Sequence, residues 1–208
     1  MLRWCFYALL VRPLTWIVLG LNVRHRERLP TSGPVILVAN HNSHLDTMVL
    51  ISLFPLRLLP KLRPVAAADY FLKNRFMAWF SMKVIGIIPV ARGGAAGDPL
   101  EGASDAIARS DMVILFPEGS RGEPEQLTGF KKGVWHLGKR HPGVPIQPVF
   151  LHGLGKALPR GEALLVPFFC DVFVGEPMAW MPDRDAFMKE LQCRMNALVQ
   201  DAHFPPWE

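Results

Sequence analysis

The chain has 208 residues, which is enough for a single domain with a sizeable core. Half of the residues are hydrophobic, the formal net charge is +5 and the pI is near 9.4, a balance that favours an anionic membrane surface or acidic ligands over nucleic acid, for which the sequence carries no motif. The three cysteines, Cys5, Cys170 and Cys193, are far apart, so we expect no disulfide framework, no metal site and a reducing environment.

The most apolar stretch is residues 4–21, which Arg12 and Pro13 interrupt in the middle. A membrane-spanning helix needs roughly 20 apolar residues, and a central arginine costs on the order of 3 kcal/mol. We therefore expect residues 1–28 to form an apolar membrane-associating helix that lies in the membrane plane or enters it shallowly, followed by one domain over residues 29–208. The alternatives are an ordinary helix packed on the domain and a true span.

Next comes a short apolar run, residues 34–39, which reads as a buried strand, and residues 47–51 read as a helix. The polar stretch between them, Asn40–Asp46, would then lie at the carboxyl end of a strand, where open α/β sheets bind their ligands. A regular helix would hold His41 and Asp46 about 140° apart. They can meet if His41 lies in a turn and a helix begins at Ser43 as N-cap, in a capping-box-like Ser-x-x-Asp pattern.

In that geometry Asp46 would orient one imidazole nitrogen of His41 and leave the other as a base, which is the His-Asp half of a catalytic triad. The alternative is that Asp46 only caps the helix and His41 is a loop residue.

Strands and helices then alternate along the chain. We predict strands at 63–68, 86–92 and 112–116, and helices at 70–85 and 98–109, with Asp98 as N-cap of the second helix and a glycine-rich turn at 93–97.

The segment Pro117–Gly122 follows the predicted strand 112–116. Glycine lets the backbone approach a ligand closely, and arginine suits bidentate phosphate contacts. The segment is neither a P-loop nor a nucleophile elbow. The alternative is a surface loop with a solvated arginine.

The remaining pattern predicts a helix at 130–140, a strand at 144–150, a strand at 164–174 and a C-terminal helix at 184–202. Two prolines within the strand at 144–150 favour an edge or irregular position. The alternation as a whole predicts an α/β fold, with one domain built on a mostly parallel sheet flanked by helices.

Four blocks now stand in a specific order: Asn40–Asp46, Gly86–Arg92, Phe116–Arg121 and Val144–Val149. In these blocks, over roughly residues 30–175, the chain resembles the glycerolipid acyltransferases, whose best-known members are the 1-acylglycerol-3-phosphate (lysophosphatidate) acyltransferases. The resemblance implies transfer of a fatty acyl group from acyl-CoA or acyl carrier protein to a hydroxyl of a lyso-phospholipid acceptor. His41 would be the general base and Asp46 its orienting partner.

The resemblance further implies that Arg92 and Arg121 hold the acceptor phosphate, and that Glu118, Gly119 and Ser120 belong to the same substrate-binding pocket. It implies no cofactor and no metal, and an enzyme at the cytoplasmic face of the cell membrane. Two other functions stay open: a membrane-associated lipid hydrolase or thioesterase that uses His41 to activate water, and a non-catalytic membrane-binding module. The acceptor, the acyl-chain length and the choice of donor are not fixed by the sequence.

Overall fold

The computed structural model describes residues 1–71, 74–90, 98–120, 122, 127–157 and 169–202. In this part of the chain the strands are β1 (Asn22–Arg24), β2 (Val35–Ala39), β3 (Leu62–Ala67), β4 (Ile88–Val90), β5 (Met112–Leu115), β6 (Ile146–His152) and β7 (Asp171–Val174). They form one sheet in the order β1-β7-β6-β2-β5-β3-β4. Every neighbouring pair is parallel except β6 and β7. The predicted α/β class with a mostly parallel sheet is confirmed.

The described α-helices are α1 (Leu2–Cys5), α2 (Leu45–Ser52), α3 (Ala68–Phe71), α4 (Arg75–Phe80), α5 (Glu101–Ala108), α6 (Gly133–Arg140), α7 (Leu154–Ala157) and α8 (Arg184–Asp201). Wider π-helical turns follow α1 at Phe6–Val11 and Leu14–Val18, and follow α4 at Ser81–Ile85. Short 3₁₀ turns lie at Arg26–Arg28 and Leu56–Lys61.

The core lies on both faces of the sheet, because successive side chains of a strand point in opposite directions. In β2, Val35, Leu37 and Ala39 pack with α2 and the N-terminal helical turns, whereas Ile36 and Val38 pack with α5, α6 and α8. All five residues of β2 are buried. This explains why the run is apolar throughout rather than alternating.

The N-terminal helical turns pack against the domain along one side. Tyr7, Val11 and Leu19 are buried in the core beside α2. Arg12 points inward as well, since its guanidinium donates to the carbonyl oxygen of Phe54 at 2.7 Å. The alternative of a helix packed on the domain therefore describes this face.

Exposed apolar side chains occupy the other side of the N-terminal helical turns: Trp4, Leu9, Leu10, Ile17 and Val18. No described helix combines the length and the apolar character needed to cross a bilayer. The sequence did not predict β1, which extends the sheet by pairing with β7.

Of the two positions predicted for the strand at 144–150, edge or irregular, the edge position is wrong, because β6 lies inside the sheet between β2 and β7. Pro148 accepts a hydrogen bond from the N–H of Gly175 but has no N–H to return. The side-chain amide of Gln147 donates to the Gly175 carbonyl instead. A side chain thus replaces the missing backbone donor, and the proline is accommodated in an interior strand.

Two helix predictions also need correction. The helix predicted at 70–85 is broken at Asn74, whose backbone is extended and whose side chain caps α4 by accepting from Met77 N–H at 2.7 Å. The helix predicted from Asp98 begins at Glu101, because the Asp98 carboxylate accepts the N–H of Leu100 in a local turn rather than capping the helix. The C-terminal helix begins as predicted at Arg184, with Asp183 as its side-chain cap.

Strand order brings the two predicted polar segments to one edge. β2 and β5 are parallel neighbours with Val38 opposite Leu115, so both end at the same edge of the sheet. The polar segments that begin at Asn40 and at Pro117 follow directly. β4, two strands from β5, ends there as well, just before Arg92.

Candidate active site

His41 and Asp46 are in direct contact. His41 Nδ1 lies 2.8 Å from Asp46 Oδ2, with Asp46 fully buried and the His41 side chain 22% exposed. His41 lies in the turn after β2, and Asp46 lies in the first turn of α2, which is the arrangement that the five-residue spacing requires. Because Asp46 engages Nδ1, Nε2 is the nitrogen available to a substrate.

The turn holds the Asp46 carboxylate in place. Asp46 Oδ2 also accepts the backbone N–H groups of Asn42, at 2.6 Å, and Ser43, at 2.8 Å. The second of these is one half of the predicted capping box. The other half, in which Ser43 is the N-cap and its hydroxyl accepts the N–H of Asp46, is wrong. The helix α2 begins at Leu45, and the N–H of Leu45 donates to the Ser43 hydroxyl at 3.3 Å. Three donors on one buried oxygen fix the carboxylate and stabilise its charge.

Asn40 joins the turn that carries His41 to the neighbouring strand. Its side-chain amide donates to the carbonyl of Leu151 at 2.8 Å, and its side-chain oxygen accepts the N–H of Leu151 at 2.7 Å. This pair of hydrogen bonds imitates a further rung of the β2–β6 ladder. The residue before His41 is thereby tied to the sheet.

Phe116 supports the imidazole from the side of β5. The rings of His41 and Phe116 are stacked, with centroids 4.3 Å apart and an interplanar angle of 25°. The carbonyl of His41 accepts the N–H of Gly122, so the two segments are also joined through the backbone. Sequence reasoning placed Phe116 at the end of a strand and missed this contact. Phe116 directly precedes the polar segment that begins at Pro117, and this position next to the predicted site is the signal that could have indicated its contact with His41.

Glu118 is a buried carboxyl group beside this pair. It is 5% exposed, and neither of its oxygens has a well-aligned hydrogen-bond partner among the described residues. Burial raises the pKa of Glu118 to about 7 and the charge of Asp46 adds to the rise, although the nearby Thr128 hydroxyl and the His41 backbone act to lower it.

The raised pKa of Glu118 has a definite consequence for stability. Between its ordinary pKa near 4.5 and about 7, the folded state binds more proton than the unfolded state. The free energy of unfolding therefore falls as the pH rises through this window. At about 1.36 kcal/mol per unit, the full effect is roughly 3 kcal/mol and is complete above pH 7.

Gly119 and Lys131 form the next part of the site. Gly119 has a φ of +72°, which favours glycine, and a Cβ at this position would lie 2.5 Å from Lys131 Nζ. The N–H of Lys131 donates to Pro117 O at 2.8 Å, so the start of α6 is fastened to the same turn. Sequence reasoning did not assign Lys131 to the site. Ser120 is exposed.

Arg92 and Arg121, predicted to hold a phosphate, lie outside the described residues, as does the glycine-rich turn at 93–97. Within the described ranges no group of three or more His, Cys, Asp or Glu side chains has the geometry of a metal site.

Comparison with known proteins decides the family. Residues 20–152 match the acyltransferase family model. The chain belongs to the acyltransferase family. The resemblance inferred from the four blocks is confirmed, and the matched region contains both polar segments at the carboxyl edge of the sheet.

Individual acyltransferases are also similar to this chain in sequence. The chloroplastic 1-acyl-sn-glycerol-3-phosphate acyltransferase BAT2 of Brassica napus is 30% identical over 144 residues, which are 68% of this chain and 40% of that protein. Human 1-acyl-sn-glycerol-3-phosphate acyltransferase alpha is 26% identical over 164 residues, 75% of this chain and 54% of the human protein. The chain thus spans about half the length, or less, of these relatives.

The solved structure of PlsC, the 1-acyl-sn-glycerophosphate (LPA) acyltransferase of Thermotoga maritima, has the same fold. The TM-score is 0.76 at 19% sequence identity, and the alignment covers 99% of this chain and 80% of that one.

Proposed function

We propose that the chain is an O-acyltransferase that moves a fatty acyl group from a thioester, acyl-CoA or acyl carrier protein, to the hydroxyl of a lysophosphatidate-type lyso-lipid. The observation that carries this proposal is the contact between His41 Nδ1 and a buried, threefold hydrogen-bonded Asp46 carboxylate. Membership of the acyltransferase family and the names of the relatives support the same reaction class.

His41 acts as the general base in this reaction. Nε2 removes the proton of the acceptor hydroxyl as its oxygen attacks the thioester carbonyl, and Asp46 stabilises the imidazolium that forms. The C–S bond then breaks, and the proton passes from the imidazolium to the leaving thiolate. No serine or cysteine nucleophile is needed, because the acceptor oxygen attacks directly.

Cationic side chains hold the acceptor phosphate. We assign this role to Arg92 and Arg121, which the resemblance to the family implies, and we add Lys131, whose ammonium lies over Gly119. When the phosphate is held, the acceptor hydroxyl is oriented toward His41 before it meets the thioester. Glu118 and Ser120 complete the substrate-binding turn.

The protein acts at the cytoplasmic face of a membrane, with residues 1–28 as the membrane-associating segment. The exposed apolar side chains of this segment are supported by a second set on and after α4: Phe76, Met77, Trp79 and Met82. The two sets adjoin, because Phe6 packs on Phe80 at 5.4 Å and Phe80 packs on Phe76 at 6.3 Å. Such a surface suits the interface at which lyso-lipids partition.

The test is an acceptor panel with purified protein and radiolabelled acyl-CoA, repeated with acyl carrier protein as donor. The panel contains lysophosphatidate, glycerol 3-phosphate and lyso-phospholipids without a free phosphomonoester. We expect His41-dependent labelling of lysophosphatidate, and loss of turnover in His41→Ala with unchanged membrane association. Labelling that persists in His41→Ala would refute the base assignment.

Free fatty acid formed at the same rate with and without acceptor would instead identify a hydrolase or thioesterase. No His41-dependent product with either donor would identify a non-catalytic module.

A further inference from the structure

A cationic cavity lies between the N-terminal helical turns and the C-terminal end of α2. It has a volume of about 260 Å³ and is lined by Arg12, Trp16, Arg26 and Ser52; we call it the Arg12–Arg26 pocket. An ordered water occupies about 30 Å³, so the pocket has room for a polyatomic group.

The two arginines leave hydrogen-bond donors for such a group. Arg12 uses one terminal nitrogen on the carbonyl of Phe54, while its Nε is buried without a hydrogen-bond partner among the described residues. Arg26 lies over the face of Trp16, 5.2 Å from the ring centroid, which leaves the edge of its guanidinium free to donate.

Among the described residues no carboxylate lies within ion-pair distance of Arg12 or Arg26, so none of them balances the charge of this pocket. Burial, and then the charge of Arg26, lower the pKa of Arg12. A bound anion would remove this repulsion and satisfy the unused donors, and phosphate oxygens fit the planar arginine fork.

A second cavity of about 160 Å³ lies beside the first, and Arg26 lines both. It adds Arg57 and Thr31 to the polar lining, together with apolar side chains that include Leu29 and Leu58. The Arg12–Arg26 pocket therefore has apolar side chains close by, as a ligand with a phosphate and a glycerol or acyl portion requires.

The Arg12–Arg26 pocket is separate from the candidate active site. Ser52 ends α2, whereas Asp46 lies in its first turn and His41 in the turn before it. Eight helical residues at 1.5 Å per residue span about 12 Å, so a phosphate held by Arg12 and Arg26 is not positioned for attack assisted by His41.

Exposed apolar residues indicate where the ligand comes from. Ile17 and Val18 follow Trp16 directly and are 78% and 45% exposed. If this surface meets a bilayer, the pocket opens among lipid headgroups. We propose that the Arg12–Arg26 pocket binds the phosphate of an anionic bilayer phospholipid, which is held as a docking ligand and not acylated. This inference rests on the proposed membrane association but not on the proposed acyl transfer.

The experiment measures partitioning of the full chain onto phosphatidylcholine vesicles with and without phosphatidylglycerol. Arg26→Gln removes the donor edge, and Arg75→Gln is the matched control, since Arg75 is an exposed arginine beside Phe76 on the same apolar surface. Loss of one arginine from diffuse attraction weakens binding about fivefold. Loss of a charge-assisted contact weakens it about 10- to 100-fold.

We expect Arg26→Gln to lose at least about 10-fold in partitioning onto phosphatidylglycerol vesicles, twice or more the loss in Arg75→Gln. Arg26→Lys should recover part of the loss, because it keeps the charge without the fork. Equal losses in Arg26→Gln and Arg75→Gln, or no preference of the wild-type protein for phosphatidylglycerol, would overturn the proposal.

Inorganic phosphate is the other probe. If it raises the thermal midpoint of the wild-type protein but not of Arg26→Gln, and phosphatidylglycerol has no effect on partitioning, the ligand is a soluble phosphate and the lipid assignment is wrong. Acyl transfer in neutral detergent is measured in parallel. It is expected to be unchanged in Arg26→Gln, so failure of the docking proposal is distinguishable from failure of the catalytic one.

Discussion

Replacing Asp46 with asparagine tests the central feature of the site. Asp46 Oδ2 accepts all three hydrogen bonds, from His41, Asn42 and Ser43, while Oδ1 is buried without a hydrogen-bond partner among the described residues. An asparagine with its oxygen at the Oδ2 position keeps every one of these contacts. Asp46→Asn therefore removes the negative charge and leaves the geometry of the turn.

The magnitude follows from the charge alone. At an effective dielectric constant near 20, two opposite unit charges about 4 Å apart attract by about 4 kcal/mol. The imidazolium exists only after His41 has taken the proton, so this stabilisation is lost in the transition state rather than in the ground state. At 1.36 kcal/mol per factor of ten, kcat should fall about 10³-fold, with KM little changed.

The assay is initial rate against lysophosphatidate at saturating acyl-CoA. Asp185→Asn is the control, because it removes an acidic charge from an exposed position at the start of α8. A loss of less than about 10-fold in Asp46→Asn would refute stabilisation of an imidazolium by the carboxylate. A large rise in KM with kcat unchanged would place Asp46 in binding instead.

Three further changes probe the rest of the site. Glu118→Gln removes the ionisable carboxyl group. The free energy of unfolding of the variant minus that of the wild type should therefore increase by up to roughly 3 kcal/mol between pH 5 and pH 8, as measured by urea unfolding. A difference that stays constant with pH would contradict the raised pKa of Glu118. Gly119→Ala forces a side chain to a φ of +72° and should cost about 1–2 kcal/mol in the same assay. Lys131→Met should raise the KM for lysophosphatidate at least about 10-fold, while Lys132→Met, its sequence neighbour, should not; equal effects would exclude a phosphate contact.

Local spacing made the contact between His41 and Asp46 predictable. The five-residue interval excludes a contact on one regular helix but permits a contact across a turn followed by a helix. The capping pattern at Ser43 indicates that a helix begins there. The same logic fails for Phe116, because its contact with His41 depends on β5 lying next to β2. Strand order arises from long-range pairing, which no periodicity in a single sequence reveals.

The strand β6 shows a second limit. The two prolines predict an edge or irregular strand because proline cannot donate to a ladder. That argument considers backbone donors alone, and here the Gln147 side chain supplies the donor that Pro148 lacks. The compensation depends on Gly175 lying opposite, which is again a fact of tertiary pairing rather than of local sequence.

The N-terminal helical turns show why composition could not separate packing from membrane contact. They are apolar all round because Tyr7 and Val11 enter the core while Leu9 and Leu10 face outward. An apolar residue has the same hydropathy whichever neighbour it meets. The positions of Arg3 and Arg12 distinguish the two faces, since each donates to backbone carbonyls of the domain and so fixes which side faces it.

Together, the two proposed sites assign different tasks to the two ends of α2. At its beginning, backbone amides and the Asp46 carboxylate organise a base for chemistry. Just beyond its end, the Phe54 carbonyl helps to place Arg12 in a cationic pocket that Ser52 also lines. A rigid helix of about 12 Å between them fixes the distance from the docked headgroup to the base. With these two sites, anionic lipid should affect how the active site is presented to the membrane without altering the protonation chemistry at His41. Vesicle composition should then change the apparent KM for a bilayer-embedded acceptor in the wild-type protein and have little effect on kcat.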